Sequence, residues 1–272
     1  MVSELFAAIR AGDLNQVERL LDTSPELLSV HHPDPNKYEE MTPLHAAATH
    51  GVLPIVKLLV ARGAEVYSNA HNSYPAVMYA AWAERADVVD YFLKEIPDQA
   101  DGTNKLGVTI NLAARQGWTD IVREHIARDP LSVHNRGWTG DTPLHWPAHN
   151  GYVEIVALLL DAGADIEADE INCYGGKPLH WAAEHEPATV RLLLERGANV
   201  NARNVKADSE LLGYTPLIMN ARQREDCAEV AELLIAAGAD ITAEEANGHT
   251  ALDIAKKRNN QRIITVLKAA DA

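Results

Sequence analysis

Two histidines, His145 and His149, lie four residues apart in a segment whose pattern predicts a helix. Imidazoles at that spacing share one helix face, which is an arrangement that can bind zinc. The zinc-protease pattern also needs a glutamate between the two histidines, and none is present here. We therefore expect no metal site at this pair and no cofactor.

A second set of chemically capable residues is Arg115, His149 and Glu184, which follow one another at intervals of 34 and 35 residues. A histidine beside a glutamate can act as a general acid and base, and an arginine can hold an anion. The same side chains also occur on ordinary solvated surfaces. The chain has no phosphate loop, nucleophile elbow, His-Glu-x-x-His or Cys-x-x-Cys motif. The sequence thus favours binding over catalysis, with these three residues as the catalytic candidates.

The intervals follow from an internal repeat. Thr-Pro-Leu-His occurs at Thr42–His45 and at Thr142–His145, and altered copies occur at Lys177–His180 and Thr215–Ile218. Aligned on Leu44, the equivalent positions recur every 33 to 38 residues, at Val77, Ile110, Leu144, Leu179, Leu217 and Leu252. A period of about 33 residues is typical of stacked repeat proteins.

One repeat, residues 140–168, shows how each unit is built. Thr142 stands at a helix N-cap and Pro143 at the first helical position, where a missing N–H is harmless. The short helix that follows gives way to a longer apolar one, which ends before Gly163. One such pair cannot bury its apolar face alone, so neighbouring units must cover it.

These units resemble ankyrin repeats, in the motif Thr-Pro-Leu-His-x-Ala and in the Gly-Ala-Asp ending at Gly163 and Gly238. The resemblance covers nearly the whole chain. It implies an all-α solenoid of stacked helix–turn–helix units, with short β-turn fingers and one concave face. We count eight units in a single domain, 1–272: an N-terminal cap at 1–35, internal repeats at 36–246 and a C-terminal cap at 247–272.

The resemblance implies a structural role for the motif histidines, which join neighbouring turns by hydrogen bonds. The third and fourth units depart from the motif, and the seventh is preceded by about five extra residues within Val205–Leu212. Pro147 replaces an alanine inside a first helix, where it would either kink the helix or be tolerated near its start. A kink there would re-aim Trp146 and His149.

The concave face that the resemblance implies carries aromatic side chains together with arginine, a combination common in binding hot spots. Trp146 and Trp181 could instead serve only to pack successive repeats together. The candidate binding residues are Tyr74, Tyr79, Trp82, Arg115, Trp138, Trp146, His149, Trp181, Glu184, Tyr214 and Arg222.

Composition narrows the class of partner. The formal net charge of −15 argues against a surface that follows phosphate groups, so we expect no nucleic acid. No apolar run is long enough to span a membrane, and the two cysteines form no disulfide framework. We expect a cytoplasmic monomer.

The sequence favours a scaffold that binds a protein or peptide on the aromatic-rich concave face. The alternative is a small-molecule or catalytic site on that face, centred on Trp82, Arg115, His149 and Glu184. The resemblance does not choose between them, because one repeat fold serves many functions.

Overall fold

A computed structural model of the chain describes residues 1–32, 41–66, 75–96, 109–137, 140–172, 175–223 and 227–272. These residues hold sixteen α-helices in eight successive pairs, and they contain no β-strand. The chain divides into two compact units, Met1–Val108 and Thr109–Ala272. The predicted all-α fold is confirmed, and the eight helix pairs match the eight predicted repeats. The single continuous domain stays a prediction.

The first unit stacks three helix pairs. Its inner helices α1, α3 and α5 pack in sequence, and each contacts its own outer helix, α2, α4 or α6. Fully buried side chains such as Leu5, Leu44 and Phe92 fill the space between layers. The helices are α1 (Val2–Ala11), α2 (Leu14–Thr23), α3 (Pro43–His50), α4 (Leu53–Ala61), α5 (Ala76–Trp82) and α6 (Ala86–Glu95).

The second unit continues the pattern with five helix pairs. Inner helices α7, α9, α11, α13 and α15 each pack against the next, around buried residues such as Ile110, Leu144 and Leu159. The inner helices are α7 (Ile110–Arg115), α9 (His145–Asn150), α11 (Pro178–Ala182), α13 (Pro216–Arg222) and α15 (Ala251–Arg258). The outer helices are α8 (Thr119–Arg128), α10 (Val153–Asp161), α12 (Pro187–Glu195), α14 (Ala228–Ala236) and α16 (Gln261–Ala270).

At two copies of the motif the threonine caps its helix as the sequence predicts, whereas the expectation for Thr142 and Pro143 is wrong, because α9 begins at His145 with Leu144 as its N-cap. Thr42 caps α3 by accepting a hydrogen bond from the His45 backbone N–H at 3.5 Å. Thr215 caps α13 by accepting one from the Ile218 N–H at 3.3 Å. Thr109 caps α7 in the same way although its unit lacks the motif. A hydroxyl at this position satisfies one of the backbone donors that a helix start leaves open.

In the fourth repeat a different residue takes the role of the motif histidine. Asn111 is buried where other units have histidine, and its Nδ2 donates to the carbonyls of Asp141 at 3.2 Å and Asn135 at 3.4 Å. In the third unit the same position holds Met78, which is fully buried. The two repeats that depart from the motif therefore differ. The fourth keeps a polar link to the next finger, whereas the third has an apolar side chain at that position.

The predicted insertion forms a closed loop. The Asn204 N–H donates to the Tyr214 carbonyl at 2.9 Å, and the Gly213 N–H donates to the Asn204 carbonyl at 2.7 Å. Within the loop Leu211 is buried, whereas Val205 is exposed. The preceding finger is closed in the same way between Glu170 and Gly176, across a shorter stretch. The extra residues thus lengthen one finger, as predicted.

Pro147 is accommodated at the start of its helix. α9 begins at His145, whereas α3, α11 and α13 begin at the motif proline. Pro147 is therefore the third helical residue, and a residue there has no backbone acceptor within the helix for its N–H. The sequence leaves open whether Pro147 kinks the helix or is tolerated near its start. The structure supports the second alternative, because Pro147 lies in the first turn of α9.

Candidate functional site

The candidate site lies in the second unit, at the ends of α7, α9 and α11. α7 packs against α9 and α9 against α11, so residues one repeat apart come together. Arg115 ends α7, His149 lies in the last turn of α9, and Glu184 follows α11 by two residues. The 34- and 35-residue spacing thus brings Arg115 and Glu184 to the two sides of α9.

Four of the predicted residues form what we call the tryptophan cluster: Arg115, Trp146, His149 and Trp181. The Arg115 guanidinium lies 3.9 Å from the centroid of the Trp146 ring. Trp146 meets Trp181 edge to face, with ring centroids 5.1 Å apart. All four side chains are half-buried. Each of these side chains is therefore partly packed and partly exposed to solvent.

His149 connects this cluster to a second group, His149, Glu184 and His185, which we call the histidine–glutamate group. Its ring lies edge to face with Trp146 at 5.9 Å and with Trp181 at 6.0 Å. On its other side the His185 ring lies 4.8 Å away. The Nδ1 of His149 is 3.9 Å from the Glu184 Oε2, which is too long for a hydrogen bond.

The surroundings move both ionisable groups towards their neutral forms. Burial lowers the pKa of His149, the nearby His185 lowers it further, and a hydrogen bond with the Trp181 backbone acts in the opposite direction. Burial raises the pKa of Glu184, while His185 and Arg222 oppose that change. Desolvation dominates in each case because it penalises the charged form.

His185 was missing from the sequence-based candidates. It follows Glu184 directly, beyond the end of α11. The alignment of repeats assigned no inward-facing role to this position, which holds His50 in the second repeat but Asn150 and Gln223 in the two repeats that flank His185. Its closeness to His149 depends on how the turn after α11 folds, and the repeat period does not specify that turn.

The motif histidines are structural, as predicted. His145 is fully buried, accepts a hydrogen bond at Nδ1 from the Thr142 N–H at 3.0 Å, and bonds through Nε2 to the Gly176 carbonyl at 3.1 Å. His180 bonds in the same way to the Lys177 N–H and the Tyr214 carbonyl. Burial lowers the pKa of His180 to about 4, so the ring stays neutral.

The other predicted binding residues belong to the first unit, to other parts of the second unit, or to segments outside the described ranges. In the first unit, Tyr79 and Trp82 meet edge to face at 5.4 Å, and Trp82 is 44% exposed. In the second, Arg222 pairs with Glu210 at 3.0 Å and Tyr214 is half-buried. Tyr74 and Trp138 lie outside the described residues.

Family models for ankyrin repeats match most of the chain. The model "Ankyrin repeats (3 copies)" matches residues 5–105 and 110–204, and the model "Ankyrin repeat" matches residues 212–245. The chain belongs to the ankyrin-repeat family. Ankyrin repeats generally mediate protein–protein interaction.

Ankyrin-repeat relatives among well-characterised proteins are longer than this chain. It is 30% identical over 253 residues to the ankyrin repeat protein nuc-2 of Neurospora crassa, which covers 86% of this chain and 21% of the relative. It is 27% identical over 227 residues to the putative palmitoyltransferase ZDHHC13 of Danio rerio, with 81% and 33% covered. It is 27% identical over 270 residues to the B-cell lymphoma 3 protein homolog of Mus musculus, with 97% and 49% covered.

The chain thus spans between about a fifth and a half of the length of these relatives. The likeness to the putative palmitoyltransferase named above covers 33% of that protein. Across the described residues, none of the ankyrin helices is long and apolar enough to cross a membrane.

Proposed function

We propose that the second unit binds a protein or peptide partner through the tryptophan cluster. The observation that carries the proposal is the contact of Trp146 with both Arg115 and Trp181, which extends over three successive inner helices. Tryptophan and arginine are the side chains most enriched in the energetic centres of protein interfaces. A repeat stack presents them on a rigid surface.

Rigidity matters because binding must offset the entropy of ordering side chains at the interface. The edge-to-face contacts of Trp146 with Trp181 and His149 already restrict these rings in the unbound protein. Arg115 is restricted by its contact with Trp146, and its backbone carbonyl accepts a hydrogen bond from the Asn150 side chain at 3.0 Å. A partner would therefore meet side chains that are largely in place.

Charge restricts the chemistry of the partner. The chain carries a net charge of −15, which favours association with a segment that carries positive charge. Aromatic faces also attract cations. We propose a partner segment that combines lysine or arginine with apolar side chains, which would place the apolar groups against Trp146 and Trp181.

The first unit offers a second contact region at Tyr79 and Trp82, where a large aromatic side chain is exposed to solvent. Tyr74, Trp138, Tyr214 and Arg222 stay predictions as partner contacts, and so do the monomeric state and the cytoplasmic location. The alternative small-molecule or catalytic site receives less support. The His149 Nδ1 and the Glu184 Oε2 are 3.9 Å apart, so no hydrogen bond fixes one side chain relative to the other.

Site-specific photocrosslinking tests the proposal. A photoreactive amino acid is introduced in place of Gln116, the half-buried residue that follows Arg115 at the end of α7, or in place of Arg191 on the outer helix α12, where the side chain is 56% exposed. We expect a protein product that forms from position 116 in cells, does not form from position 191, and is lost when Trp181→Ala is added. Identical products from both positions, or none from position 116, would overturn the proposal.

Packing of repeats is the competing role for Trp146 and Trp181, and stability measurements separate the two. If the rings serve only packing, Trp181→Ala lowers the urea midpoint and any loss of crosslinking follows the fraction unfolded. If they bind a partner, crosslinking is lost under conditions where circular dichroism shows the variant to be fully folded.

A further inference from the structure

The histidine–glutamate group has the composition of a metal site. One nitrogen from each of His149 and His185 and one oxygen of Glu184 all lie within 4.8 Å of one another. Two imidazoles and one carboxylate form a donor set used by zinc sites that keep a fourth position for water. The three residues come from two successive repeats, so an ion would join them.

His149 supplies an independent observation. Its Nδ1 is buried and has no hydrogen-bond partner. A buried nitrogen without a partner costs about 1–3 kcal/mol, so most such atoms in folded proteins are paired. The Glu184 carboxylate does not satisfy this atom, since its Oε2 is 3.9 Å away. A cation between the three side chains would satisfy the nitrogen and neutralise the carboxylate.

The distances allow an ion after a small rearrangement. Ligands about 2.0–2.1 Å from a tetrahedral ion lie roughly 3.4 Å from each other, which is closer than the 4.8 Å limit of this group. Glu184 and His185 lie beyond the end of α11, where no helical hydrogen-bonding pattern continues. Rotation of their side chains by on the order of 1 Å would bring the donors to the required separation.

The neighbours of the group fit a bound ion. Glu186 places an oxygen 3.7 Å from the Nε2 of His185, so it can orient that ring if Nδ1 binds the metal. Carboxylates commonly orient metal-binding histidines in this way. The His149 and Glu184 side chains are each 27% exposed, which leaves a path for an ion and for a water ligand.

We propose that His149, Glu184 and His185 bind a divalent transition-metal ion, with Zn²⁺ as the ion that suits the donor set best. The proposal differs from the expectation drawn from the sequence, which considered His145 with His149. His145 is committed to Thr142 and Gly176, so the second histidine comes from the next repeat instead. Imidazole donors favour Zn²⁺ over Mg²⁺, which prefers oxygen ligands.

Metal titration of the tag-free protein tests the proposal without any partner. We expect one Zn²⁺ per chain by isothermal titration calorimetry in a non-chelating buffer, and visible absorption on addition of Co²⁺. An excess of Mg²⁺ should not displace either ion. His149→Ala, Glu184→Gln and His185→Ala should each weaken binding at least tenfold, since each removes a ligand or its charge.

His134→Ala is the matched control, because His134 is exposed in the same unit and lies outside the group. Circular dichroism establishes that each variant is folded, and His149→Gln replaces His149→Ala should the alanine variant unfold. No stoichiometric binding by the wild-type protein, full affinity in His149→Ala, or an equal loss in His134→Ala would overturn the proposal. None of these outcomes depends on whether the tryptophan cluster binds a partner.

Discussion

The two ends of α9 show how one repeat serves two purposes. At its start, His145 is fully buried, and both ring nitrogens are bonded, one within its own unit and one to the next finger. At its other end, His149 is half-buried and its Nδ1 has no hydrogen-bond partner. Two histidines one helical turn apart therefore differ in role: His145 joins successive repeats, whereas His149 belongs to the candidate site.

The same contrast extends to α11, where His180 is bonded into the next finger while Glu184 and His185 lie beyond the helix end. Starts of inner helices are therefore restricted by the stack, because each must match the finger of the next unit. Their ends are less restricted, and a protein can place binding residues there without weakening the fold. Several variants would break or sharpen this distinction.

The largest effect is expected from removing a motif histidine. His180→Ala should lower the free energy of unfolding by about 3–5 kcal/mol, because it leaves a cavity and two buried backbone groups without partners. His149→Ala should cost only about 1–2 kcal/mol, since it breaks ring contacts and one hydrogen bond with the Trp181 backbone at a half-buried position. Urea unfolding followed by circular dichroism measures both. Equal losses would show that the two helix ends do not differ in structural importance.

The second-largest effect is expected from lowering the pH, which should reduce the contribution of His180 to the free energy of unfolding. The folded pKa of His180 is about 4 against 6.5 for an unperturbed histidine. Above pH 6.5 the ring is neutral in both states and its full contribution to stability is present. Between pH 6.5 and 4 the unfolded chain binds a proton that the folded chain excludes, which removes up to about 3 kcal/mol.

Unfolding at pH 7, 5.5 and 4 for the wild type and for His180→Gln isolates this effect from that of the carboxylates. We expect the variant to lose less stability than the wild type over the same range. Parallel losses would mean that His180 is accessible to protons in the folded state.

Variants in the fourth repeat test whether stability depends on hydrogen bonding at the helix start or on the presence of a particular residue there. Asn111 donates to the carbonyls of Asp141 and Asn135, so Asn111→Leu should cost about 2 kcal/mol by leaving them unpaired. Asn111→His should stay within about 1 kcal/mol of the wild type, since the ring can donate to the same finger. Thermal midpoints of the two variants decide it. A histidine variant as unstable as the leucine variant would contradict the expectation.

The smallest effect concerns the turn that follows an inner helix. Glu84 has a φ of 57°, where Gly51 stands in the preceding repeat with a φ of 72°. Left-handed backbone costs a side-chain-bearing residue about 1 kcal/mol, so Glu84→Gly should raise stability by about that amount. Gly12→Ala, at a φ of 72° where the added methyl group would make only an ordinary contact with the Val52 Cγ1 at 3.8 Å, should lower stability similarly. Urea midpoints that move in the same direction would contradict this account.

Sequence patterns predicted the inner-helix starts well because those positions repeat. Thr42 and Thr215 cap their helices, and His145 and His180 bond as the resemblance implied. The repeat spacing indicated Arg115, His149 and Glu184 as a set, but it did not predict the contact of Arg115 with Trp146. The position of His185 was not predicted, because the repeats on either side offer no equivalent residue.

The sequence by itself determined the repeat, most starts of the inner helices and the residues that hold successive repeats together, since each follows from local capping and from a period that recurs along the chain. Tertiary structure alone decided which polar atoms stay without partners. Whether the Nδ1 of His149 is satisfied depends on where the turn after α11 places Glu184 and His185. The distances between these side chains depend on how two successive repeats pack together, and the sequence of either repeat does not specify that packing to within an ångström.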